Sequence, residues 1–239
     1  MDGIAAQDMA PQTGLFGGLS GLRAALDLGG PAMWAIAALS VLALALILWK
    51  LVDLARAGAW SGGGATARAI ALWSAGDRKG AEAELANRHS LRARLARAAM
   101  AALTDPALDR AGAEAETARV ARALLARARK GLRGLELAVT IGPLLGLLGT
   151  VTGMIGAFQA LQEAGAQADP ATLAGGIWEA LLTTAAGMSV AIPAQIALSG
   201  FESIVDRLRH DMEDAATRIF ARVPEPAPTP EARPAAAAE

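Results

Sequence analysis

A chain of 239 residues that is 54% hydrophobic but 4% aromatic, with 26 glycines and no tyrosine, is a poor candidate for a soluble globular core. Abundant Ala, Leu and Gly instead suits helices packed closely in lipid, where small residues let backbones approach. The absence of cysteine excludes disulfides, thiol chemistry and cysteine-ligated metals; the isolated His89 and His210 make no metal site, and no cofactor is expected. The formal net charge of -1 hides a strong segregation of charge along the chain.

Residues 1–30 read as an N-terminal segment, Gly-rich and weakly structured, with one short amphipathic helix around Leu19–Leu28. Gly29, Gly30 and Pro31 then break the chain. Residues 31–52 contain WAIAALSVLALALILW without a charge, enough to cross about 30 Å of hydrocarbon. The stretch starts some thirty residues in and lacks a basic n-region and a convincing cleavage site, so it is read as a retained first span. Residues 53–136 form an Ala- and Arg-rich helical loop with breaks at Ser61–Gly64, Ala75–Gly80, Ser90 and Thr104–Pro106. Asp105 before Pro106 has the pattern of a helix start. From there one helix of 56 residues, roughly 84 Å long, is expected to run to Leu161.

Residues 137–161 are the second span, 162–171 a short connection, 172–201 the third span and 202–222 its continuation as an amphipathic helix; 223–239 read as a disordered Pro/Ala tail. The fold class is therefore all-α: a polytopic membrane protein with three transmembrane helices, the second and third extended into a cytoplasmic helical domain. Charge gives the orientation. Lys and Arg number one in residues 1–30, sixteen in 50–133, none in 162–171 and five beyond Phe201. The positive-inside rule places the N-terminus and the short connection in the periplasm, and the long loop and the C-terminus in the cytoplasm. The basic loop lacks interleaved aromatics, so its charge reads as a solvated face and a topology signal, with no nucleic acid as partner.

The second span carries GPLLGLLGTVTGMIG, with Gly142, Gly146, Gly149, Gly153 and Gly156 spaced four, three, four, three. That spacing lays all five on one face, where a neighbouring helix can approach closely. Pro143 removes one backbone hydrogen bond and is expected to bend the helix. Thr150 and Thr152 bring hydroxyls to mid-membrane depth, either bonded back one turn or offered to a proton path.

The third span opens at Asp169–Pro170 and carries GGIWEALLTTAAGMSVAIPAQI. Its single charge, Glu179, marks a polar pathway by default, because an ionised carboxylate at membrane depth costs a few kcal/mol. The alternative is an anchor at the outer interface. Thr183, four residues on, shares the Glu179 face with Gly176 and Gly187, whereas Thr184 is turned by about 100°. Pro193 is expected to bend this helix near its inner end.

Over roughly Leu137–Phe201, GPLLGLLGTVTGMIGAF followed by GIWEALLTTAAGMSVAIPA resembles the paired pore helices of the MotA/TolQ/ExbB proton channel family, closest to the ExbB biopolymer transport type. The resemblance implies a homo-oligomer, a pentamer, in the bacterial inner membrane around a pore lined by the second and third spans. An ExbD-like single-span protein with an intramembrane aspartate would sit inside, and proton flow would drive it to act on a TonB-like protein. On this resemblance Thr150 and Thr184 match pore-lining threonines and Glu179 the intramembrane glutamate, so wheel geometry and family match leave Thr183 and Thr184 as alternatives. Three spans argue against the four-span flagellar stator type. A TolQ-like subunit of an envelope-constriction system and a passive membrane scaffold are the rival readings. No nucleotide loop or nucleophile–base pair points to an enzyme.

Overall fold

The computed structural model describes Arg23, Leu26, Asp27 and residues 29–60, 63–165 and 169–221. The tail beyond Val223, and the expected helix around Leu19–Leu28 save for Arg23, Leu26 and Asp27, lie outside these residues. Seven helices longer than a turn are described: α1 Gly30–Arg56, α2 Gly63–Ser74, α3 Arg78–Ala86, α4 Leu91–Thr104, α5 Arg110–Arg129, α6 Leu132–Ala164 and α7 Pro170–Phe220. Three helical segments are long and apolar enough to cross a membrane: Gly30–Arg56, the stretch Arg110–Ala164 that contains α6, and Pro170–Phe220. Their most apolar windows are only 17%, 22% and 28% buried within the chain, so most of that apolar surface is left for lipid or other subunits.

Local chemistry sets the helix ends. Past α1, Gly58 takes φ +69°, its N–H donates to Ala55 O (3.1 Å) and Ala59 N–H donates to Leu54 O (3.1 Å). This is the paired Schellman closure that glycine permits. It recurs past α2, where Gly76 has φ +87° and Asp77 N–H reaches back to Leu72 O at 3.0 Å. Asp77 and Ser90 then cap α3 and α4 by accepting from the Gly80 and Ala93 N–H groups.

Two expectations are corrected. Asp105 does not start a helix: its Oδ1 accepts from Ala107 N–H at 2.9 Å and its carbonyl from Leu108 N–H at 3.2 Å, which closes a turn. The cap is Asp109, whose Oδ1 accepts from Gly112 N–H at 2.7 Å. Nor does one helix run from Pro106 to Leu161. α5 ends at Arg129 and α6 starts at Leu132, because Gly131 takes φ +87° against the Trp49 ring. A periodicity argument passes over a lone glycine, but a left-handed residue stops the hydrogen-bond ladder.

The chain divides into two compact units, Met1–Lys50 with Gly131–Phe201, and Leu51–Lys130 with Glu202–Glu239. The second unit has its own core, in which Ala69, Trp73, Leu85, Ala96 and Met100 pack with Ala215, Ile219 and Phe220 of α7. Arginines close its helix ends. Arg97 donates to Ala86 O and Arg88 O behind α3, and Arg110 to Phe220 O at the end of α7. Arg92 is 8% exposed; its Nη1 donates to Gly58 O at 3.1 Å, while its Nε and Nη2 lie 2.8 and 2.6 Å from Asp211 Oδ2. Part of the basic loop's charge is therefore not a solvated face. It satisfies carbonyls that helix termini leave without partners. On the outer surface, a hydrogen bond from Arg119 holds the Glu116 carboxyl below its usual range.

Replacing Arg92 with Met should destabilise the second unit by about 1–3 kcal/mol, since two carbonyls lose their donor while the 40%-exposed Asp211 recovers water. Asp211→Asn should cost less. Limited proteolysis of the detergent-purified protein, read at sites in 60–110 and 205–220, checks both; equal protection of all three proteins would refute the clamp.

Candidate functional site

Within the first unit, α6 and α7 meet with almost no side chain between them. A Cβ on Gly142 would lie 3.1 Å from Gly187 O and 3.4 Å from the Ala191 Cβ. One on Gly187 would lie 2.5 Å from Gly142 O and 3.2 Å from the Gly146 Cα. One on Gly146 would lie 2.9 Å from the Thr184 Cα and 3.0 Å from Thr183 O, and one on Gly149 would collide with the Thr183 hydroxyl. These obstacles are largely backbone, so no rotamer change can make room. Gly153 faces Ala180, its notional Cβ 3.0 Å from that side chain.

The seam does not extend to the fifth glycine. No described residue lies within 4 Å of a Cβ on Gly156, and the contact passes to Ala157, whose Cβ lies 2.5 Å from a Cβ built on Gly176. An α-helix drifts by about 20° per heptad from a seven-residue repeat, so two heptads from Gly142 carry Gly156 off the face. The sequence places Gly176, Thr183 and Gly187 on one face of α7, and the structure adds Ala180 and Ala191 to complete the row opposite α6. Gly176, Ala180, Thr183, Gly187 and Ala191 recur at four, three, four, four, and their small size at helical spacing was the available signal. Pro143 and Pro193 both lie inside helices that continue past them.

The hydroxyls divide by environment. Thr183 is 2% exposed, and its Oγ1 donates to Ala180 O at 2.7 Å, with Gly146 O across the seam at 3.2 Å. Thr184, one residue on, has a buried Oγ1 with no hydrogen-bond partner among the described residues. Thr150, partly buried, bonds back to Leu147 O at 2.7 Å, and the exposed Thr152 to Leu148 O at 3.0 Å and Gly149 O at 3.1 Å. Glu179 is half-buried, with no hydrogen bond or ion pair to a described residue. On the α7 wheel Glu179 falls about 40° to one side of Thr183 and Thr184 about 100° to the other. Glu179 and Thr184 therefore flank the packed seam from opposite sides.

Residues 87–214, more than half of the chain, match the MotA/TolQ/ExbB proton channel family. The chain belongs to that family. The match takes in the whole α6–α7 seam, Glu179 and the four threonines, together with α4 and α5, and leaves out α1. Among relatives, the chain is 54% identical over 69 residues to an ExbB-like biopolymer transport protein of Synechocystis, covering 28% of this chain and 27% of that one. It is 48% identical over 64 residues to the biopolymer transport protein exbB1 of Vibrio cholerae (27% and 28%). It is 41% identical over 90 residues to the Tol-Pal system protein TolQ of Pseudomonas aeruginosa (36% and 38%). The aligned stretch thus spans between about a quarter and two fifths of these relatives' lengths, and both ExbB and TolQ names occur among them.

For this member of the family, the seam predicts a graded response to added methyl groups. Gly146→Ala should lower the thermal stability of the detergent-solubilised protein by several degrees, because Thr183 and Thr184 backbone atoms stand in the way. Gly156→Ala, into open space, should leave it unchanged. A fluorescence-detected melting series on size-exclusion chromatography separates the two, and equal melting points would contradict the backbone contact.

Proposed function

We propose that this chain is the ExbB-type subunit of a proton-driven motor in the bacterial inner membrane. A homopentamer of such chains surrounds the single-span helices of an ExbD-like partner, and the motor uses the proton motive force to energise a TonB-like protein for outer-membrane transport. The N-terminus and the connection 162–171 face the periplasm. The second unit, with fourteen Lys and Arg between residues 51 and 130, stays in the cytoplasm.

The observation that carries this reading is Glu179, a carboxyl group inside an apolar helix that no described residue of its own chain satisfies. A charge in such a helix faces water, protein or a proton path, since contact with hydrocarbon costs a few kcal/mol or more. Thr184, whose oxygen has no partner among the described residues, and Thr150 add hydroxyls on the same pair of helices. One carboxylate and a few hydroxyls per chain are too sparse to wire a bilayer. The remaining carrier is the aspartate of the partner's helix, with water between. Each proton that crosses releases about 2.3 kcal/mol per 100 mV, which is the work available for moving the partner.

A second reading is the TolQ form of the same machine, serving envelope constriction; the similarity to the Pseudomonas TolQ over 90 residues supports it. The passive scaffold has no such support and leaves the intramembrane carboxylate unexplained.

Glu179→Gln removes the ionisable group at nearly constant shape. In cells lacking their own copy, it should assemble normally and lower uncoupler-sensitive outer-membrane uptake at least tenfold, with Thr150→Val reducing it less. Full uptake from both variants at normal complex abundance would end the motor assignment. Normal uptake of the wild type in a strain lacking Tol function, and failure to restore Tol-dependent envelope integrity, would set the ExbB form over the TolQ form.

A further inference from the structure

Thr183 lies in the α6–α7 contact and is used there in a way that Thr150, Thr152 and Thr184 are not. Its hydroxyl has one proton and two carbonyls in reach: Ala180 O in its own helix at 2.7 Å and Gly146 O of α6 at 3.2 Å. It is the only described threonine of the seam whose oxygen reaches across to the other helix; Thr150 and Thr152 bond back within α6, and Thr184 Oγ1 has no described partner. Its side chain fills the space that Gly149 leaves by having no Cβ, and its Cγ2 lies 3.2 Å from a Cβ built on Gly29, before α1. At 2% exposure it is closed off from solvent and from any central opening that α6 and α7 could line.

From this geometry we infer that Thr183 is a positioning residue: its hydroxyl pins Gly146 of α6 and so fixes the rotational setting of α7. Glu179 then projects on one flank of the seam and Thr184 on the other. The inference rests on the motor reading, since it assigns Thr183 a part in arranging that site. Glycine faces slide and turn easily, because they carry no interlocking side chains. A seam built of Gly142, Gly146, Gly149 and Gly187 needs a directional contact to choose one setting, and the threonine supplies it. Its single proton is shared between two carbonyls, and its oxygen is closed inside the contact away from any water path, so Thr183 holds the site without carrying protons.

The absence of native cysteine makes a clean test possible. A Cβ on Gly142 lies 3.4 Å from the Ala191 Cβ, close to the roughly 3.8 Å of a disulfide. Gly142→Cys with Ala191→Cys therefore reports, and when oxidised locks, a setting close to the native one; the first cysteine's Cβ must push Gly187 O, 3.1 Å away, by a few tenths of an ångström, so the double-cysteine parent is the reference for every variant. In the full chain expressed with its partner genes, Thr183→Val should lower uptake per assembled complex at least fivefold and slow oxidative cross-linking of the cysteine pair severalfold. Thr183→Ser, which keeps the donor, should restore both. Oxidation of the pair in the Thr183→Val background should recover uptake, and the same locked background keeps the valine variant testable if it accumulates poorly alone.

Full uptake from unlocked Thr183→Val overturns the inference. So does a locked Thr183→Val protein that stays inactive while the locked parent works, because that outcome makes Thr183 a proton carrier. Glu179→Gln in parallel separates the two levels: if it also keeps full uptake, the motor reading has failed, and if only it loses uptake, the positioning role alone has failed.

Discussion

The close approach of two backbones at Gly142–Gly187 and Gly146–Thr184 is the contact on which the membrane part of this protein depends. In lipid there is no hydrophobic gain from bringing two helices together, because the hydrocarbon is as apolar as leucine. What remains is dispersion between closely packed atoms and whatever polar contacts the helices can share. Removing side chains from one face of α6 and placing small ones opposite on α7 lets main-chain atoms touch. The large residues that would otherwise fill such a face are turned away: Leu144, Leu148, Val151 and Ile155 on α6 and Leu181, Met188, Ile192 and Ile196 on α7 are all exposed. They are left on the outside of the pair, where lipid or other protein can cover them.

That arrangement explains how polar groups come to stand in an apolar helix. Because the seam consumes the small residues, the positions beside it on the wheel are free for groups that serve something other than packing within the chain. Glu179 and Thr184 occupy such flanks, and each lacks a partner among the described residues. Thr150 and Thr152 have satisfied their hydroxyl protons locally and still present lone pairs. The unsatisfied groups are what a proton path assembled from several chains and a partner would need.

Much of this was legible in the amino-acid sequence, and the physical reasons are different for each part. The three spans follow from apolar runs long enough for the bilayer, and the seam from glycine spacing, since both depend on local pattern alone. The loss of Gly156 from the seam was not legible, because the repeat is seven and the helix turns at 3.6; only the course of the partner helix shows where contact passes to Ala157 and Gly176. The end of the long helix at Gly131 was missed for a similar reason. One left-handed residue lodged against Trp49 outweighs an uninterrupted helical composition on either side.

Arginine was the least legible. In LRARLAR the basic residues recur two or three apart, and composition gives no way to tell a buried guanidinium from a solvated one. Arg92 is buried and Arg94 exposed because α4 packs one side against the Gly58–Ala59 turn and Asp211, and that turn exists only because Gly58 adopts φ +69°. A guanidinium presents five donors in a fixed plane, so it holds a carbonyl and a carboxylate at once in a set geometry that the rotating ammonium of a lysine does not impose. The positive-inside bias and the capping of helix ends thus draw on the same residues. On the proposed orientation, an arginine in this region serves topology during insertion and satisfied carbonyls afterwards, and only the second demand fixes its position to the residue.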